Sequence, residues 1–178
     1  MTPAPGLRGR VRALAYRTFY RLPGRWKRRL VRTIQPTYTI GAVAVVRDVN
    51  APPPGRLLLL RQPPGSGWSL PAGLMDRGER PVECAVRELA EETGVRVPVE
   101  AMRAAVPNAL VHIDGQWVDM VFETEVEAGD AFEIDAAEVL EAAWHRIDAL
   151  PPLTVATARL LAHYGIGPYT DYPEVLEA

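Results

Sequence analysis

Hydrophobic positions recur along this chain with two different periods, and the switches between them outline its elements. Leu7, Val11, Leu14, Ala15, Phe19 and Leu22 stand at helical spacing with arginines between them, which predicts an amphipathic helix to about Tyr20. Pro23 and Gly24 break it, and Arg25 to Arg32 suits a second short helix with Trp26 and Leu30 on one side. Thr37 to Arg47 is β-branched and largely apolar, the pattern of a buried strand. Pro52, Pro53, Pro54 and Gly55 make a turn, and Arg56 to Arg61 follows as the hairpin partner of the first strand. Gln62 to Gly67 is a loop, and Trp68 to Ala72 is a short extended piece that delivers the chain to Gly73.

Beyond residue 95 the strands are shorter or interrupted. Val95 to Ala109 reads as a strand broken around Pro98 and Pro107. Trp117 to Val126 alternates Val118, Met120 and Phe122 with Asp119, Glu123 and Glu125, which predicts a half-buried strand. An acidic loop, Glu127 to Asp135, leads to a last strand at Ala142 to Ile147. Thr154 to Tyr164 is the closing helix, stopped by Gly165, and the residues from Ile166 onward form an irregular tail. Three parts are expected: an extension at 1–34, a domain at 35–165 and a tail at 166–178.

Charge separates the first part from the rest. Residues 1–34 carry ten Arg or Lys and no Asp or Glu, which leaves ten basic against 22 acidic residues in the remainder. Such an arm suits packing on the domain or on a second copy in a homodimer. It equally suits docking on an anionic surface (membrane, nucleic acid or an acidic partner). An organelle transit peptide fits the arginines but not the lack of any Ser, and disorder is the remaining reading. Unbroken apolar runs are short, such as Leu57 to Leu60, so no transmembrane segment is expected, and the N-terminus has no apolar core of a secretory signal. Cys84 is the single cysteine, which points to a reducing, cytoplasmic setting.

The chemistry concentrates in Gly73 to Val95, where five of 23 residues are Glu. Pro81 suits the first turn of a helix and Gly94 its stop, so the helix is expected from Pro81 to Thr93. On a helical wheel with Glu88 at zero, Glu92 falls near +40° and Glu91 near −60° at about 100° per residue. Val82, Ala85, Val86 and Leu89 form the neighbouring apolar flank, and Cys84 falls on the carboxylate side as a small packing residue. Like charges in one turn destabilise a helix, so a compensating cation is expected. Carboxylates without a Cys or His partner favour Mg²⁺ or Mn²⁺ over zinc. A solvated acidic helix face is the plain alternative. The glycine-bearing loop before the helix, and Arg87 beside Glu88, weigh against it.

This stretch resembles the Nudix box, G-x5-E-x7-R-E-U-x-E-E-x-G-U, with U a bulky aliphatic residue. Gly73, Glu79, Arg87, Glu88, Leu89, Glu91, Glu92, Gly94 and Val95 match every fixed position. The box covers about an eighth of the chain, and the order of elements over roughly 36–165 is also similar to the family's core. The resemblance implies an α/β/α sandwich with a mixed sheet, preceded here by a helical extension. It implies divalent-metal-dependent hydrolysis of the pyrophosphate in a nucleoside diphosphate linked to another moiety, such as a (d)NTP or a nucleotide sugar of the ADP-ribose type. The alternative is a catalytically weak nucleotide-binding module whose basic arm engages an anionic partner.

By the same resemblance Glu88, Glu91 and Glu92 bind metal, with Glu88 favoured as the activator of water. Arg87 orients a glutamate, and Glu79 is structural or an outer contact. The carbonyls around Ala72 and Gly73 supply a backbone ligand, although many relatives have Gly-Gly there. A further acid from a distant loop is expected. Glu138, six residues before Trp144, is the candidate, ahead of Glu133, Asp135 and Glu141. Trp68 and Trp117 are candidates to stack on a base, and His112 or Asn108 to hydrogen-bond to one.

Overall fold

The computed structural model describes residues 6–112, 115–129 and 131–172. The chain forms two compact units, Met1–Tyr38 and Thr39–Ala178. The first contains helices α1 (Leu7–Arg21) and α2 (Gly24–Ile34), joined where Leu22 turns extended and Pro23 caps the next helix. Both were expected, and α2 runs two residues further than the pattern indicated.

The second unit is built on a seven-stranded mixed sheet. Its strands are β1 (Thr39–Asp48), β2 (Arg56–Arg61), β3 (Trp68–Ser69), β4 (Ala72–Leu74), β5 (Arg103–His112), β6 (Trp117–Val126) and β7 (Glu141–Arg146). β1 and β6 are parallel over their whole lengths, and every other pair is antiparallel. The apolar runs of β1 and β2 are divided between two faces because successive side chains point to opposite sides. Val43, Val45, Leu57 and Leu59 join Leu160 and Leu161 of helix α4 (Val155–Ala162) in one core. Ala42, Ala44, Val46 and Leu58 join Cys84, Ala85 and Leu89 of helix α3 (Pro81–Thr93) in the other. One helix on each face completes the α/β/α sandwich.

Several expectations shift. β2 meets β1 as a hairpin, but its residue-by-residue partner is β7. β6 is not half-buried in alternation: Val121, Phe122 and Thr124 are all buried, since it lies between β1 and β5 with helices over both faces. β5 begins only at Arg103, after a 3₁₀ turn at Val99–Ala101, and a register shift between Ala104 and Ala109 absorbs Pro107. The closing helix is shorter than its pattern, with Thr154 as N-cap accepting from the Thr157 amide. Residues 166–172 hold turns but no helix or strand, and Ile166 at their start is buried in the α4 core. The last six residues of the expected tail, 173–178, lie outside the described residues.

Candidate functional site

The site forms where β4 meets α3. β1 holds β4 in register, pairing Ala42 with Gly73 and Val43 with Ala72. The Ala44 amide also donates to Pro71 O, which ties down the approach to β4. α3 starts with Pro81 in its first turn, and Glu83 Oε2 accepts from the Arg80 amide. It ends at Gly94 in the left-handed conformation (φ 76°), whose amide donates to Ala90 O. These bounds coincide with those the sequence predicted.

The three clustered carboxylates do not share one environment. Glu92 is 4% exposed, on the edge of the apolar flank, with Cys84, Ala85, Leu89 and Thr93 also buried. Its Oε2 accepts from the Ala72 amide (3.0 Å) and its Oε1 from Gln62 Nε2 (2.6 Å). Burial pushes its carboxyl up to about 8, with Glu88 and Glu138 adding to the shift and the two donors opposing it. Glu88 is partly buried, and burial likewise raises its carboxyl above the ordinary range against the pull of Arg87. Glu91 is mostly exposed.

Arg87 ties this turn to the preceding loop. Its Nε and Nη2 donate to Glu79 (2.8 and 3.0 Å), and Nη2 also donates to Leu74 O. Nη1 donates to Glu88 (2.7 Å) and Glu91 (3.0 Å). Hydrogen bonds from Arg87 hold the Glu79 carboxyl down at about 2. Gly73 packs directly under Glu88, and its carbonyl accepts from the Cys84 thiol. That thiol, pushed up to about 11 chiefly by burial, is a packing group.

Beside Glu92 opens a cavity of about 570 Å³. Gln62 and Ala72, the two partners of Glu92, line it together with Ser69, His112, Trp117 and Asp119. Asp119 accepts from Trp117 Nε1 and pairs with His112 Nε2 (3.0 Å). His112 and Trp117 face each other across β5 and β6, and Asp119 follows Trp117 at the two-residue repeat of a strand.

The sequence-expected residues thus separate into groups. Glu79, Glu88 and Glu91 are joined through Arg87, Glu88 lies against Gly73, and Glu92 accepts from the Ala72 amide beside it. Trp117 and His112 line the cavity. The ring of Trp68 does not line it: it meets His145 edge-on at 4.3 Å and packs against the α4 core. Asn108 spends its amide on Val121 O inside the sheet. Glu138 is exposed, at the end of a turn begun by Asp135, and its charge reaches Glu92. Two residues of the site were missed. Asp119 had a signal in the alternation of β6; Gln62 sits in a Pro/Gly loop that offered none.

Among the described residues no three acidic, His or Cys side chains are already gathered as a metal cage. The donor set still fits a hard divalent cation. Its members are carboxylates and a backbone carbonyl; burial raises the carboxyls of Glu88 and Glu92, and among the described residues Arg87, on Glu88, is their one paired cation.

The model of the NUDIX domain matches residues 37–164. A MutT-like protein of Streptomyces ambofaciens is 30% identical over 140 residues, covering 77% of this chain and 84% of that protein. An octanoyltransferase of Myxococcus xanthus is 37% identical over 114 residues, which is 56% of this chain and 31% of the relative, so the chain spans about a third of that protein's length. The crystal structure of a MutT NUDIX hydrolase from Burkholderia pseudomallei, 29% identical, covers 68% of this chain and 93% of that one with a TM-score of 0.52. The chain belongs to the Nudix hydrolase family.

Proposed function

We propose that this protein hydrolyses the pyrophosphate linkage of a nucleoside diphosphate joined to another moiety, a (d)NTP or a nucleotide sugar of the ADP-ribose type. The observation that carries the reading is the buried carboxylate of Glu92, bonded to two residues that line a cavity of about 570 Å³ and one helical turn from the Arg87-bound Glu88.

In this reading the base and ribose enter the cavity between Trp117, His112 and Asp119, and the diphosphate lies over the α3 turn. Glu88, Glu91, Glu92 and the carbonyl at Gly73, with Ala72 beside it and Glu138 from the loop, would hold Mg²⁺ or Mn²⁺. When bound, such an ion neutralises phosphate charge and polarises a water. Glu88 accepts the proton of the attacking water. A new bond forms from the water oxygen to phosphorus, and the P–O–P bridge breaks, leaving two phosphate products. Arg87 fixes the rotamers of Glu88 and Glu91 through Nη1 while Glu79 anchors its other edge. The buried, free thiol of Cys84 supports a reducing, cytoplasmic setting.

A panel of nucleoside diphosphate derivatives with Mg²⁺ or Mn²⁺ in ¹⁸O-labelled water tests the reading. Label is expected in one phosphate product of at least one substrate. Tight nucleotide binding with no turnover under either ion would replace hydrolysis by a binding function.

A further inference from the structure

The helical hairpin of the first unit lies outside the reaction just described, and its surface is unlike that of a helix pair that folds on itself. No residue of α2 is buried. Val11 is 61% exposed, Leu14 64%, Trp26 51% and Ile34 68%. Between the helices runs an apolar groove of about 370 Å³, lined by Ala15, Tyr16 and Phe19 from α1 and Leu30, Val31 and Ile34 from α2.

The polar surface is all of one sign. Residues 1–34 hold ten basic side chains and no acidic one. In α2 the two characters separate by spacing. Trp26, Leu30 and Ile34 follow one another at intervals of four, with Val31 and one basic residue, Lys27, on the same side, while Arg25, Arg28, Arg29 and Arg32 take the opposite arc. Basic groups also sit over aromatic rings, Arg29 over Trp26 and Lys27 over Tyr20, as side chains do at the boundary between an apolar and a charged phase.

We propose that this hairpin docks on the surface of an anionic lipid bilayer, lying in the plane of the headgroups. Each class of occupant makes a different demand. The hairpin of a second copy brings the same unbroken positive charge to the contact, and like charges repel. A nucleic acid would neutralise the arginines and leave Trp26, Leu30 and Ile34 in water. A bilayer carrying acidic lipids takes both: the apolar arc enters the acyl boundary and the arginines meet the headgroups. Among the described residues no helix is long and apolar enough to cross a membrane, so the contact is peripheral. The inference rests on the first unit alone and does not depend on the proposed hydrolysis.

The test is co-sedimentation of the full chain with vesicles of phosphatidylcholine alone or mixed with phosphatidylserine, at low and high salt. Retention is expected on the mixed vesicles, at least about tenfold weaker on phosphatidylcholine alone and falling as salt rises. The triple variant Trp26→Ser, Leu30→Ser, Ile34→Ser keeps every charge and should lose retention about tenfold or more. The quadruple variant Arg25→Glu, Arg28→Glu, Arg29→Glu, Arg32→Glu should abolish it. The helical circular dichroism and thermal midpoint of each variant confirm that the domain still folds. No retention on acidic vesicles at low salt overturns the proposal. So does retention unchanged in the serine variant, which would leave a purely ionic contact of the kind RNA makes, and so does a dimer in the wild type that the serine variant dissolves.

Discussion

The carboxylate of Glu88 occupies the space that a side chain on Gly73 would need: a Cβ at that position would lie 2.0 Å from its carboxyl carbon and one oxygen. The backbone of β4 and the α3 turn have therefore closed on each other as far as an uncarpeted strand allows. Gly73→Ala should push Glu88 aside, because the far end of a side chain yields more easily than a strand paired to β1. We expect turnover to fall about ten- to a hundredfold in steady-state assays, since a small misplacement of a reacting group costs that much. The thermal midpoint should move by only a few degrees. A variant that unfolds instead would show that the close approach serves stability.

Glu92→Gln separates folding from chemistry. The substitution removes a charge that burial already disfavours but also one of the two oxygens that accept from Ala72 and Gln62; the two effects oppose, so the thermal midpoint without divalent ions should not fall by more than a few degrees. Turnover with Mg²⁺ should drop about a hundredfold or more. Mn²⁺ should raise the midpoint of the wild type and leave the variant nearly unmoved, because only a ligand bound to the native state stabilises it. An equal rise in both would remove Glu92 from the ion site.

Arg87→Lys should behave as a severe substitution despite the kept charge. Arg87 donates to Glu79 through two nitrogens and to Glu88, Glu91 and Leu74 O besides. A lysine ammonium has three donors on one atom and cannot span those acceptors. The expected result is a fall in kcat of about tenfold or more at nearly unchanged fold, read by steady-state kinetics and circular dichroism. Full activity in the lysine variant would reduce Arg87 to a charge.

Away from the site, Asp48 supplies a pH-dependent part of the stability. Burial raises its carboxyl, but hydrogen bonds from Arg56 and from the amides of Asn50 and Ala128 outweigh this, and the net shift is downward from 3.8. A carboxyl lowered by folding stabilises the native state above its unfolded value and loses that contribution as pH falls through its folded value. Asp48→Asn should cost about 1–3 kcal/mol at neutral pH in urea denaturation. The gap to the wild type should close as the pH is taken below 3.8. A gap that widens there would contradict the assignment.

Local pattern was enough for whatever depends on neighbours in the chain. The helix from Pro81 to Thr93 was legible because its start, its apolar flank and its glycine stop lie within one short stretch. The same spacing grouped Glu88, Glu91 and Glu92 on one side. It could not rank them, because burial of a carboxylate depends on what packs over it. Glu92 is deep and Glu91 exposed only because β4 and the loop at Gln62 cover one edge of the turn.

By itself the sequence determined the helices of the extension and the helix Pro81–Thr93, the Nudix box and the division between a basic extension and an acidic domain. These follow from periodicity, residue type and charge, all properties of contiguous chain. Only the tertiary structure decided which distant residues share the site. Gln62 reaches Glu92 from 30 positions away, Asp119 joins His112 across paired strands, and Trp68 is drawn out of the cavity to pack on His145. Strand register and sheet order set those meetings, and both are fixed by packing on two faces at once, which no short window of sequence contains.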